Sequence, residues 1–268
     1  MFERRRKKLD IRQLLIIIII LLITLGVVIT VKGISFRKEL EPPTALANEL
    51  PRFRLIDMDN IGIKTDEDKD GINDQKDILL GAKKQLEIRA RNIFLEGEKE
   101  SNYYPGGDPP PDLAVSTDIV ARAFREAGFD LKELVHEDII ENFNAYPLRE
   151  IWNQRFPDPN IDYRRIQNLE VFFKRNAISL TTVFSSLDKE NLNSWLPGDV
   201  VFFDMDEDGY ADNVGIISDT TTRDGTPKVI YNYIDPGFTC EENILGQKPI
   251  KGHFRFPDPQ KKFSDKEG

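Results

Sequence analysis

The sequence predicts an α+β domain held behind one apolar segment of membrane length, and three observations carry that reading. An uninterrupted apolar run fills residues 14–31. Apolar positions at helical spacing recur between residues 78 and 176. Short β-rich runs, parted by Gly and Asp turns, follow from residue 199 onward. Helices first and antiparallel strands afterwards is an α+β order, and 268 residues allow one ordinary core plus a small appendage.

Residues 1–12 carry six basic side chains against Glu3 and Asp10, a net +4, leaving −13 for the rest of a chain whose total is −9. The apolar run behind them holds only Thr24 and Thr30 as mild polar interruptions. As a helix it reaches about 27 Å, near the thickness of a bilayer hydrocarbon core. The expected organisation is a cytoplasmic basic tail (1–13), an uncleaved signal anchor (14–31) and a stalk broken by Pro42-Pro43 (32–60), with the remainder outside the cell membrane. A cleaved secretory leader is the competing reading. Its cleavage-like Ala45-Leu46-Ala47 lies 14 residues past Val31, and the run is long for a leader.

Composition narrows the chemistry. The acidic balance argues against a nucleic-acid partner. One cysteine excludes an intramolecular disulfide, and with two histidines it excludes a Cys/His zinc cluster. Carboxylate, hydroxyl, amide and backbone groups remain.

The stretch 61–77 is an acidic loop of calcium type. Counting Asp66 as position 1, Asp68, Asp70, Asp74 and Asp77 supply oxygens at positions 3, 5, 9 and 12. Gly71 allows the turn at position 6, and Ile72 offers a carbonyl at position 7. A hard cation wants six to eight oxygens, and this spacing collects them; a solvated acidic turn is the plain alternative. The apolar pattern from Ile78 to Phe94 reads as a helix leaving the loop. A second acidic loop repeats the pattern with Asp204, Asp206, Asp208, Gly209, Tyr210 at position 7, and Asp212. Position 12 there is Gly215, and the flanks read as strands, so this is a calcium-stiffened hairpin or an ordinary polar one. Calcium is thus the expected cofactor of both loops, with no organic one.

Further helices are expected at 117–128, 131–142 and 166–176, and strands at 199–204, 213–218, 228–234 and 250–256. The domain should end near 257, leaving a polar tail at 258–268.

Several blocks carry a family resemblance: Tyr104-Pro-Gly-Gly-Asp108, Val115-Ser-Thr-Asp-Ile-Val-Ala-Arg-Ala-Phe124, Leu134-Val-His-Glu-Asp138, Asp158-Pro-Asn-Ile-Asp-Tyr-Arg-Arg165, Asn168-Leu-Glu-Val-Phe-Phe173, Pro197-Gly-Asp-Val-Val201, Asn213-Val-Gly-Ile-Ile217 and Gly252-His-Phe-Arg-Phe256. Across about residues 74–256 the chain resembles the YijF-like bacterial domain of unknown function, of the papain-like, NlpC-type cell-wall peptidase and amidase superfamily. The resemblance implies a nucleophile-bearing helix packed on an antiparallel sheet that bears the base. It places the nucleophile at Ser116, the base at Asn213 and the orienting group near Tyr231 or Asn232.

Those departures decide the reading. A hydroxyl needs a general base even more than a thiol does, and a carboxamide is not one near neutral pH. The expected function is a catalytically silent domain that keeps its groove for cell-wall peptide or a protein partner. A peptidoglycan hydrolase using Ser116, and a calcium-stiffened interaction module without a groove, are the alternatives. His136 and Asp138 match a family block and are candidates for binding, as are Asp162 and Arg165 in a groove for anionic or peptide groups. His136 and His253 both suit structural roles, although His136 folded back on Ser116 would revive hydrolysis. Cys240, far from the expected nucleophile helix, reads as a small buried hydrophobe.

Overall fold

The structure, a computed structural model, describes Met58 and residues 63–95 and 102–261. The basic tail, the apolar run 14–31, the stalk apart from Met58 and the tail beyond 261 lie outside the described residues. Among the described residues no helix is long and apolar enough to cross a membrane.

Helix α1 (Asp74–Ile88) starts where Asn73 caps it, its side chain accepting from Lys76 N at 3.0 Å. Asp74 and Asp77 in the first turn suit the positive end of the helix dipole. It stops at Arg89, whose left-handed φ of 53° closes the last turn onto Gln85 O. A two-residue parallel pair follows, β1 (Arg91–Asn92) with β2 (Leu113–Ala114). Helix α2 (Ser116–Glu126) has no side-chain cap from Val115; Asp118 instead reaches back to accept Val115 N at 2.8 Å. Gly81 lets α1 lie close on α2, since a Cβ there would stand 2.5 Å from Ala123 O.

Asp130 caps α3 (Leu131–Asn142), accepting Lys132 N at 3.0 Å. Two short turns lead through α4 (Leu148–Trp152) to α5 (Ile166–Asn176). After β3 (Ile178–Ser179) and α6 (Lys189–Asn193) come β4 (Val200–Phe203), β5 (Asn213–Thr221), β6 (Pro227–Asn232), β7 (Thr239–Glu242) and β8 (Ile250–Arg255). They form one six-stranded antiparallel sheet in the order β3-β8-β4-β5-β6-β7. The fold is therefore α+β, helices packed against an antiparallel sheet. The expected helices and strands appear near their expected bounds, except that the helix read from Ile78 to Phe94 ends at Ile88; β1, β2, β3, β7, α4 and α6 are additions.

Both sheet faces are covered, which is why all four residues of β4 are buried. Val200, Phe202, Val214, Ile216, Ile230 and Phe254 face the helices and join Phe124, Phe172, Phe173 and Phe256 in the larger core. Val201, Phe203, Ile217, Val229 and Tyr231 face the other way, into a smaller cluster around Trp195, Ile244 and Leu245. Period-two alternation thus assigns each strand residue to one of two surroundings.

Candidate functional site

A cleft of about 280 Å³ opens where the start of α2, the β1 end and the β5–β6 end meet. Ser116, the first residue of α2, lines it with Thr117, Asn92, Asn102, Arg164, Asp212, Asn232 and Tyr233; Phe94, Ile166 and Ile234 add apolar wall. The first-turn N–H groups of a helix have no intrahelical partner, so this end of α2 offers donors and a positive field to the cleft.

The polar wall is locked by long-range bonds. Arg164 donates from Nε to Asp118 Oδ1 at 2.6 Å and from Nη2 to Asp118 Oδ2 at 2.9 Å, and from Nη1 to Asn102 O at 2.5 Å. Asn92 Nδ2 donates to Asn232 Oδ1 at 2.8 Å, and Asn232 Nδ2 donates to Ala90 O at 2.9 Å. Asp212 is held on both oxygens: Met205 N donates to Oδ1 at 2.8 Å and Tyr233 Oη to Oδ2 at 3.2 Å. Burial raises the Asp212 carboxyl above the usual carboxylate range, against those bonds and with the charges of Asp206 and Asp204 adding to it. Burial, then the Asp212 charge, pushes the Tyr233 hydroxyl up to about 12. Among the described residues nothing takes a hydrogen bond from, or gives one to, the Ser116 hydroxyl.

The expected site residues are divided by this geometry. Ser116 is on the cleft. Asn213 is fully buried and is not among the lining residues; its Oδ1 accepts Val214 N at 2.8 Å and its Nδ2 has no partner. Its chain neighbour Asp212 is the group that lines the cleft. Tyr231 is a correction: it points into the Trp195 cluster and donates to Glu242 Oε2 at 2.9 Å, so the cleft residue of β6 is Asn232. Alternation of side chains along the strand is the reason.

The groove expected of Asp162 and Arg165 is also corrected by one position. Asp162 is fully buried, its carboxylate accepting from Asp158 N at 2.6 Å and Gln154 Nε2 at 2.9 Å. Arg165 sits 3.3 Å from Asp162 and over the Trp152 ring. Arg164, between them, is the arginine on the cleft. Asp138 is occupied by Arg175 at 2.8 Å and by Tyr146, and neither it nor His136 lines the cleft. His136 lies in α3 with a buried, unpartnered Nδ1.

His253 pairs across the ladder with Val201, which belongs to the Trp195 cluster, so its ring lies on the sheet face turned away from α2. There it stacks on Trp195 at 4.0 Å, with Nε2 3.1 Å from Asp199 Oδ2 and Nδ1 2.9 Å from Thr181 O. Cys240 is 8% exposed in the same cluster, and burial, with the Glu242 charge, pushes its thiol up to about 12. The fold-wide contacts of Arg164 and Asn92 carried no signal in local periodicity; Arg164 was at least inside a conspicuous Tyr-Arg-Arg stretch.

Both acidic loops have the same internal bonding. In each, the carboxylate oxygens of the first three aspartates, Asp66, Asp68 and Asp70 or Asp204, Asp206 and Asp208, lie within 4.8 Å of one another. Ile72 and Tyr210 occupy matching places, their N–H groups donating to Asp70 at 2.8 Å and Asp208 at 2.9 Å.

No solved structure matches the chain significantly. The chain is similar to the uncharacterized protein YijF of Escherichia coli (strain K12), 38% identical over 179 residues that cover 67% of this chain and 80% of that protein. A domain of unknown function, DUF1287, matches residues 81–256, from the middle of α1 to just past β8. That span takes in every residue lining the Ser116 cleft, and the chain belongs to the DUF1287 family.

Proposed function

We propose that this domain is a papain-like, NlpC-type fold that binds cell-wall peptide in the Ser116 cleft without hydrolysing it, outside the membrane in which residues 14–31 anchor it. One observation carries the reading: the cleft is lined by a hydroxyl, carboxamides, an arginine already paired with Asp118 and one doubly held carboxylate, and by no imidazole. The chain has two histidines, and neither lines it. Loss of a general base alone forfeits about 10²–10⁴-fold in rate, and loss of a concerted nucleophile–base pair on the order of 10⁶. What remains suits binding. The α2 terminus favours a carboxylate or peptide carbonyl, Asn92 and Asn232 edge the cleft with amides, and Phe94 and Ile234 offer apolar contact.

A second reading draws on Asp212. A carboxylate with a raised pKa lines the same cleft as a serine hydroxyl that has no hydrogen bond among the described residues, which makes Asp212 a candidate base. Each of its oxygens already accepts one hydrogen bond, from Met205 N and from Tyr233, and keeps a lone pair for another. Purified muropeptides separate the two: the full chain is mixed with them, binding is followed by calorimetry and products by chromatography. Binding without product, unchanged by Ser116→Ala, supports the first reading. Peptide release that disappears in Ser116→Ala establishes the second and ends the first.

A further inference from the structure

We propose that the 66–77 loop binds one calcium ion and that its look-alike at 204–212 does not. The shared skeleton cannot make this distinction. Asp66 accepts Asp70 N at 3.1 Å and Gly71 N at 3.0 Å; Asp204 accepts Asp208 N at 3.0 Å and Gly209 N at 2.9 Å. Asp74 accepts Glu67 N at 2.9 Å as Asp212 accepts Met205 N at 2.8 Å. An acidic turn of this kind forms with or without an ion.

The distinction lies in what closes each loop. In the first, Asp74 and Asp77 are 1% and 2% exposed; the Thr65 side chain attends Asp74, whereas the Oδ2 of Asp77 is sealed from solvent with no hydrogen-bond partner among the described residues. A buried carboxylate oxygen left without a partner is costly, and a cation resolves that cost directly. Asp77 lies in the field of Asp70, Asp68, Asp74 and Asp66, in that order, so it stands beside the cluster that Asp66, Asp68 and Asp70 form. With the Ile72 carbonyl these five carboxylates reach the six to eight oxygens that calcium takes.

The second loop answers the same needs from within. Lys251 Nζ stands 3.6 Å from Asp204 Oδ2, where the ion's charge would otherwise act. The second oxygen of Asp212 is taken by Tyr233. Position 12 is Gly215, inside β5, and brings no carboxylate. The ammonium of Lys248 reaches Met205 O at 2.8 Å as well.

An ion in the first loop would fasten the first turn of α1. From that turn Gln75 donates to Pro197 O at 2.9 Å and Asp199 Oδ1 at 2.8 Å, at the entry to β4. The loop also abuts the turn after α2, since a Cβ on Gly128 would stand 3.0 Å from Asp68 Cβ. The ion is thus placed to brace two helix junctions rather than to reach the cleft.

Calorimetric titration of the full chain with calcium alone tests this, alongside the melting temperature. The expected result is one ion per chain, binding weakened about 10-fold or more by Asp70→Asn and untouched by Asp206→Asn, following the loss of one coordinating charge. Asp70 is exposed, so its variant keeps its fold, which circular dichroism verifies. Asp77→Asn should weaken binding too, and if it does not fold Asp70→Asn decides alone. No binding at millimolar calcium, two ions per chain, or equal losses in Asp70→Asn and Asp206→Asn would each overturn the proposal.

Discussion

Arg164 and Asp118, 46 residues apart in sequence, meet as a buried two-pronged ion pair, both side chains essentially sealed from water. The same Asp118 oxygen that takes Nη2 also holds Val115 N at the start of α2. One carboxylate thereby positions the helix end beside Ser116 and the arginine on the cleft wall.

Asp118→Ala should therefore cost roughly 3–5 kcal/mol, because it strands a buried guanidinium and removes a cap together. Urea unfolding measures it. Replacing both partners, as in Asp118→Leu with Arg164→Met, should recover part of the loss while still abolishing cleft binding. A single variant as stable as the parent would show that the pair does not hold this junction.

Asp199 predicts an acid limb. Burial opposes its charge, but hydrogen bonds from His253 and Arg255 outweigh that and hold its carboxyl below the ordinary value of 3.8. A depressed folded pKa contributes stability that is complete above the unfolded value and is lost as pH falls through the folded one. Unfolding midpoints measured from pH 7 down to about 2.5 should thus decline below about pH 4. Asp199→Asn should be weaker at neutrality and flatter in that acid window; a parallel decline in the variant would assign the limb to other groups.

Thiol chemistry separates the cleft from the core. Native Cys240 should resist iodoacetamide at pH 8, being buried with its thiol pushed up to about 12. A thiol introduced by Ser116→Cys gains the α2 terminus, and should alkylate well below the ordinary thiol pKa of about 8.5. Mass spectrometry of adducts against pH reads both. Equal rates at the two positions would mean that the α2 terminus does not act on the cleft.

Close helix packing gives a steric prediction. Gly81→Val drives a branched side chain into Ala123 O and Glu126 Cβ, which a lone Cβ would already approach to 2.5 and 2.9 Å. Overpacking of this kind costs about 1–3 kcal/mol. Thermal melting of Gly81→Val against the surface control Lys84→Val should show the difference; identical melts would mean that α1 can shift off α2 freely.

Local signals in the sequence were enough for the elements. Ser116–Glu126 follows the apolar spacing of Ile119, Val120, Ala123 and Phe124, and the four main strands follow their β-branched and aromatic runs. β7 was missed because Thr-Cys-Glu-Glu lacks that pattern and gains its place only by pairing with β6. The cleft was half legible. Ser116 came from a motif, whereas Asn92, Asn102 and Arg164 are brought there by bonds spanning 46 to 140 residues, which no window of sequence contains. Asp162 and Arg165 flank the arginine that lines the cleft, because charge alone does not say which residue of a tight turn faces inward. Between Tyr231 and Asn232 the sequence leaves the orienting place open for the same lack of a face.

The Trp195–His253 stack gives the domain an internal optical reporter. An indole held 4.0 Å from an imidazole, on the sheet face away from the cleft, changes its emission when that contact parts. In a Trp152→Phe background its fluorescence should follow loss of the fold and stay indifferent to whatever occupies the groove, so stability and occupancy become separately readable signals without any attached dye.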